Sequence, residues 1–177
     1  MANLFIRHGE VENIKNIQYA NIPGFHLSKV GCHQAEKAAL KIKKNFHIEK
    51  IVSSPLLRAR ETTYIINKVL NVDVKYSHNM TEWKGQIDWI GLTFNEISKK
   101  SNFAIEKLKL TDVNEKLFDV FIRVNHLYQL NKNTLFVSHQ DTIRAFTYYF
   151  LKQQVFEEFR PNHCEIQEIK ENKIFTY

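Results

Sequence analysis

Leu4-Phe5-Ile6-Arg7-His8-Gly9-Glu10 joins a short apolar run to a cation, an imidazole and a glycine. The apolar run reads as a buried strand, and the glycine behind it as the turn that ends the strand. The same arrangement returns at Leu135-Phe136-Val137-Ser138-His139. Between the two, Ser53-Ser54-Pro55-Leu56-Leu57-Arg58 follows a further short strand over 49–53. Three strand ends carrying two histidines and two arginines predict one anion-handling pocket assembled from distant segments, because ligands of open α/β sheets bind where strand carboxyl ends meet loops and helix starts.

Outward from these strands the chain alternates strand and helix. Ser28 is placed to cap a helix running to about Asn45, with Ala35, Ala38, Ala39, Ile42 and Phe46 at helical spacing. Ser54 is expected to cap a second helix with Pro55 in its first turn, where a missing N–H costs nothing. A short extended segment, Val72 to Tyr76, follows. Thr93-Phe94-Asn95-Glu96 has the form of a capping box. A long helix is expected over 113–131, with Val113, Leu117, Val120, Phe121, Val124 and Leu127 on one face, and another from about Asp141 to Leu151. Residues 163–169 and 172–176 alternate like a hairpin around Glu171-Asn172. The expected fold class is α/β, a three-layer α/β/α sandwich with a mostly parallel central sheet, formed by a single domain over 1–177.

Composition narrows the function classes. The chain has 177 residues, 44% apolar and 25% charged, with net charge +6. The lysines are scattered, and no basic stripe interleaves with aromatics, so the expected partners include neither nucleic acid nor a membrane. No stretch approaches the roughly 20 apolar residues of a membrane span, and no basic segment followed by an apolar one opens the chain. Cys32 and Cys164 form no framework and no C-x-x-C pair, which suits a reducing compartment. The expected setting is cytoplasmic. Whether the chain forms a homodimer is left open.

Arginine presents a planar fork of donors matched to phosphate oxygens, and helix starts supply free N–H groups and positive potential. Arg7, Arg58, His8 and His139 around one cleft therefore suit a phosphoryl group better than a neutral ligand. The carboxyl needed for proton transfer has several candidates: Glu82, Glu96, Asp88 and Glu10. Gln140 is placed to offer a backbone N–H at a helix start. His26, on the loop before Leu27-Ser28, is a further residue within reach of a substrate. The remaining histidines considered (His33, His47, His78 and His126) read as surface or packing residues. Trp83 and Trp89 read as core or cleft wall.

These motifs together resemble the histidine phosphatase superfamily, the clan of cofactor-dependent phosphoglycerate mutases and their phosphatase relatives. The resemblance rests on Arg7-His8-Gly9-Glu10, Leu27-Ser28 with Gly31, Ser53-Ser54-Pro55-Leu56 with Arg58-Ala59, Glu82, and Val137-Ser138-His139 with Ile143-Arg144. It runs in order from residue 3 to about 151. It implies a phosphoglycerate mutase-like fold of branch 1, with His8 as a nucleophile forming a phosphohistidine. It implies that Arg7 and Arg58 grip the transferring phosphoryl group, that His139 completes the pocket, and that Glu82 is the general acid and then base. The substrate-binding set it implies is Arg7, Arg58, His139, Gln140, Asn13, Ala20 and Asn21, with no metal and no cofactor.

The chain departs from the family where Ile14 stands in place of a common Asn (Asn13 lies one position earlier), where Ala20-Asn21 replaces a Gly or Ser-Gly, and where Gln140 replaces a Gly. These positions border the substrate entry. The short interval between Glu82 and His139 resembles the phosphatase branch more than the mutases. The expectation is a metal-independent phosphomonoesterase acting on a small phosphorylated metabolite. Phosphoglycerate mutase-type transfer, a phosphohistidine or phosphoprotein phosphatase, and a non-catalytic phosphate-binding module are the alternatives.

Overall fold

The computed structural model describes residues 2–85, 87–100, 115–152, 159–170 and 173–177. Its elements in chain order are β1 (Leu4–Arg7), α1 (Lys29–Asn45), β2 (Lys50–Ser53), α2 (Leu57–Leu70), β3 (Asp73–Tyr76), α3 (Phe94–Ile97), α4 (Leu117–Leu130), β4 (Thr134–Ser138), α5 (Gln140–Phe150), β5 (Ile166–Lys170) and β6 (Lys173–Thr176). The strands form one sheet in the order β3-β2-β4-β1-β5-β6. The first four are parallel, and β5 and β6 join antiparallel beside β1. The α/β class and the mostly parallel sheet expected from sequence are what the chain adopts.

Alternation along the central strands sorts the two cores, because successive side chains leave a strand on opposite faces. Leu4, Ile6, Ile51, Leu135 and Val137 point to one face and pack with Ala35, Ala39 and Ile42 of α1 and Ile66 of α2. Phe5, Val52 and Phe136 point to the other, against Val120 and Val124 of α4 and Ile143 and Phe146 of α5. There the Phe5 ring stacks on Phe136 at 5.0 Å and meets Phe146 at 4.8 Å. Each such fully buried ring stabilises the fold by roughly 1.5–3 kcal/mol through apolar burial. Parallel strands covered on both faces need no polar residue until their ends, so chemistry collects there. Strands β2, β4 and β1 lie side by side, and their carboxyl ends place Ser54, His139 and His8 on one rim.

Several boundaries differ from expectation. Helix α2 begins at Leu57 with Leu56 as its cap, not at Pro55 under a Ser54 cap. The Ser54 hydroxyl is taken by His139, 2.8 Å away, and reaches the helix start only through Leu56 N at 3.3 Å. Helix α4 begins at Leu117 with Lys116 as its cap, and the Glu115 backbone carbonyl ahead of it accepts from Trp83 Nε1 while its carboxylate pairs with Arg123. Its expected start over 113–114 lies outside the described residues, as does the hairpin turn at Glu171-Asn172. The Ser28 cap, the Thr93–Glu96 capping box and the hairpin strands form as expected. No helix among the described residues is long and apolar enough to cross a membrane.

The start of α1 abuts the turn after β1 at two glycines. A Cβ on Gly9 would sit 2.5 Å from the Gly31 carbonyl oxygen. A Cβ on Gly31 would overlap the Glu10 carbonyl oxygen and come within 2.8 Å of the Glu10 nitrogen. These neighbours are backbone and cannot swing aside. Gly31→Ala is therefore expected to cost about 1–3 kcal/mol, the usual range for overpacking. Urea unfolding that shows no loss of stability would contradict this close approach.

Candidate active site

His8 is almost fully buried (1% exposed). Its Nδ1 lies 2.7 Å from the carbonyl oxygen of Gly9. A carbonyl only accepts, so Nδ1 carries the hydrogen and Nε2 carries the lone pair. Burial, and after it the charge of Arg58, hold the His8 pKa well below the usual histidine value of 6.5. The result is a neutral imidazole with a nucleophilic nitrogen. The backbone is fixed on both sides: His8 N donates to Ser138 O at 2.9 Å, and Gly9 N to Thr62 Oγ1 at 3.1 Å.

His139, also buried, places its ring 5.1 Å from that of His8, edge to face. Ser54 is fully buried, its Oγ accepts from Leu56 N at 3.3 Å and lies 2.8 Å from His139 Nε2, and a hydroxyl that gives its hydrogen to that nitrogen leaves the ring hydrogen on Nδ1. That Nδ1 has no protein partner among the described residues, and neither do the buried Nε atoms of Arg7 and Arg58. Buried donors are normally paired. The two arginine N–H groups are donors matched to phosphoryl oxygens, and both arginine charges act on His8. Burial and the arginines push the His139 pKa well below 6.5 as well, so the pocket's positive charge comes from guanidinium groups.

The arginines are themselves held. Arg7 Nη1 donates to Gln140 Oε1 at 2.6 Å and to Pro161 O at 3.1 Å. Arg58 donates to the Ala20 carbonyl and, at 3.3 Å, to that of Ile22, and its guanidinium lies 4.9 Å from the centre of the Tyr19 ring. Ala20 enters through its carbonyl, which a left-handed backbone (φ 37°) turns inward. Asn21 follows it, half-buried. Gln140 contributes a side-chain oxygen that orients Arg7, a role distinct from the backbone N–H expected of it.

Glu82 is placed by α5. Its Oε1 accepts from Thr142 N at 3.1 Å, in the first turn of that helix, from Thr142 Oγ1 at 3.2 Å and from Trp83 N at 2.8 Å. Loss of water around the carboxyl, followed by the charge of Asp141, raises its pKa to about 7. It is thus poised to exchange a proton near neutrality. The rival carboxyls are used elsewhere. Glu96 closes the capping box, Glu10 accepts from Ser28 Oγ, and Asp88 is exposed.

Not every sequence candidate converges here. The Asn13 amide is committed to the backbone of Ile17 in both directions (2.8 and 3.1 Å) and borders a separate shallow hollow with Ile14 and Phe25. Ile14 is 93% exposed. His26 pairs with Glu61 at 2.6 Å on the surface. Two residues that sequence reading passed over do converge. Tyr19 has its ring against Arg58 and 6.5 Å from that of His8. His163 has its ring 5.4 Å from that of His8.

A family model described as the histidine phosphatase superfamily (branch 1) matches residues 4–173. The chain belongs to that superfamily. The match extends past α5 through β5 and ends at Lys173, the first residue of β6. A 2,3-bisphosphoglycerate-dependent phosphoglycerate mutase of Thermoplasma acidophilum is 29% identical over 158 residues, which cover 84% of this chain and 76% of that protein. Among solved structures, a mycobacterial glucosyl-3-phosphoglycerate phosphatase superposes with TM-score 0.79 at 20% identity, covering 94% of this chain and 88% of the other. A phosphoserine phosphatase from Entamoeba histolytica, in complex with 3-phosphoglyceric acid, gives TM-score 0.77 at 25% identity, covering 94% and 89%. Members of this kind are phosphatases or mutases, and the chain is an enzyme of that class.

The His8 geometry makes a spectroscopic prediction. Imidazole 15N shifts should report His8 as a neutral ring with its hydrogen on Nδ1, remaining neutral as pH falls through 6.5. A ring that protonates at or above that pH would contradict the described environment.

Proposed function

We propose that this histidine phosphatase superfamily member is a metal-independent phosphomonoesterase acting on a small phosphorylated metabolite through a phosphohistidine on His8. The observation that carries the reading is the buried His8 ring, its hydrogen held on Nδ1, with the His139 ring 5.1 Å away and buried, unpartnered nitrogens on Arg7, Arg58 and His139. Phosphoryl transfer asks mainly for positioning and for charge opposite the three equatorial oxygens. Two guanidinium groups meet that demand without a bound cation.

In the first step the Nε2 lone pair of His8 attacks phosphorus and the bond to the leaving oxygen breaks. Protonated Glu82 gives that oxygen its hydrogen, so the alcohol leaves neutral. In the second step the Glu82 carboxylate takes a proton from water as the water oxygen bonds to phosphorus. The P–N bond breaks, its electrons return to Nε2, and phosphate departs with Glu82 protonated again. A carboxyl with its pKa near 7 serves both directions. Mutase transfer, suggested by the name of the Thermoplasma relative, uses the same pocket with a second substrate hydroxyl in place of water. The short stretch between Glu82 and His139 supports hydrolysis over it.

His8→Ala should abolish hydrolysis of an aryl phosphate in EDTA while the circular dichroism spectrum is retained. Activity that survives the substitution excludes the phosphohistidine route, and activity lost to EDTA in the unsubstituted protein excludes metal independence. Fast bisphosphoglycerate-primed interconversion of phosphoglycerates with negligible hydrolysis would make the enzyme a mutase.

Glu82→Gln should lower kcat by about a hundredfold or more for alkyl phosphates, the scale of general acid catalysis, and far less for a nitrophenyl ester whose leaving group needs no proton. Because the Glu82 pKa is raised, its acid form persists to about 7 and is lost above it. Rates on alkyl phosphates should therefore fall from pH 7 upward. A flat profile from 7 to 9 would remove Glu82 from the acid role.

A further inference from the structure

The stretch from Pro161 to Glu165 leads into β5, the strand that pairs antiparallel with β1. It touches the nucleophile segment at three points. Arg7 Nη1 donates to Pro161 O at 3.1 Å. Cys164 N donates to Arg7 O at 3.0 Å. The third contact comes from a side chain: His163 Nδ1 lies 2.9 Å from the carbonyl oxygen of His8. Since that oxygen only accepts, Nδ1 of His163 carries the hydrogen and donates it.

The turn is built to hold this pose. The Glu165 carboxylate accepts from Asn162 N at 3.0 Å and from Asn162 Nδ2 at 3.1 Å. Cys164 takes a left-handed backbone conformation (φ 54°), uncommon for a residue with a side chain. Its thiol is buried, with a pKa pushed up to about 12, so the residue packs and anchors without thiolate chemistry at neutral pH. The groups that face His163 are Arg7 and Glu10, besides His8 itself.

We infer that His163 is a positioning residue for the nucleophile: its N–H fixes the His8 carbonyl, and with it the peptide unit whose next carbonyl, that of Gly9, sets the His8 tautomer. The inference rests on the reading of His8 as nucleophile. A turn of the 8–9 peptide changes the backbone angles from which the adjoining 9–10 peptide hangs, which would take the Gly9 oxygen off the Nδ1 axis and let the ring hydrogen exchange between nitrogens. The same turn holds Arg7 through the backbone of Pro161 and Cys164, contacts that do not pass through the His163 side chain.

The test compares His163→Leu, which has no donor, with His163→Asn, whose amide N–H stands where Nδ1 does. Readouts are kcat and KM on an aryl phosphate, inhibition by orthophosphate, the thermal midpoint, and the 15N shifts of His8. In the leucine variant kcat should fall about tenfold or more, in line with the cost of a misplaced reacting group, while orthophosphate inhibition stays within about threefold. Its His8 shifts should move toward a tautomer average. The asparagine variant should recover most of kcat and the Nδ1–H signature.

A leucine variant with unchanged kcat overturns the inference. So does an asparagine variant as impaired as the leucine one, or losses in both that track a common drop in thermal midpoint. If the unsubstituted protein hydrolyses no phosphomonoester, the functional reading fails on its own. The shifts then decide the clamp: an unchanged His8 tautomer in His163→Leu overturns it.

Discussion

Keeping a histidine neutral between two arginines is the constraint on which the site depends. An imidazole that took up a proton would lose its lone pair, and the arginine charges that favour a phosphoryl group also oppose that proton. Burial is the larger cause, ahead of the arginine charges. The remaining variable is which nitrogen keeps the hydrogen, and the Gly9 carbonyl decides it at 2.7 Å. The backbone of residues 8 and 9 is in turn tied to β4 through Ser138, to α2 through Thr62 and to the turn before β5 through His163. A histidine that looks local in sequence is held by three segments far along the chain.

Glu82 meets the opposite demand. Its carboxyl has a pKa raised to about 7 although it lies at the start of α5, where helix N–H groups favour the anion. Burial and Asp141 outweigh those donors and the two arginines, and the balance falls at about 7. The loop that carries it is itself fixed. Arg123 donates to the carbonyls of Asn79 and Thr81, and the Glu115 carbonyl accepts from Trp83 Nε1. Burial is the first cause for both residues and disfavours the charged form of each, which lowers the pKa of the base His8 and raises that of the acid Glu82.

Much of this was legible in the chain. Arg7-His8 and His139 stood out because parallel strands buried on both faces allow polar residues only at their ends. Ser28 and Thr93 announced their helices through cap chemistry that is local by nature. What was not legible depends on contacts across the sheet. Ser54 looked like a helix cap because nothing local shows that a histidine 85 residues on claims its hydroxyl. Asn13 looked like a substrate ligand by its place in the motif, but its amide closes a turn on Ile17. His163 carried one faint signal, a histidine just ahead of a strand, and only the pairing of β5 with β1 brings it to His8.

The pose of Arg58 joins a helix to a distant loop. Its guanidinium rests on the Ala20 and Ile22 carbonyls with the Tyr19 ring beside it. Both terminal nitrogens are thus held by one short segment, while the buried Nε keeps no protein partner among the described residues. The aim of that nitrogen is therefore set by the backbone from Tyr19 to Ile22, although the side chain itself grows from α2. A change in this loop would turn the guanidinium as a rigid plate, so a segment far from Arg58 in sequence governs where its free N–H points.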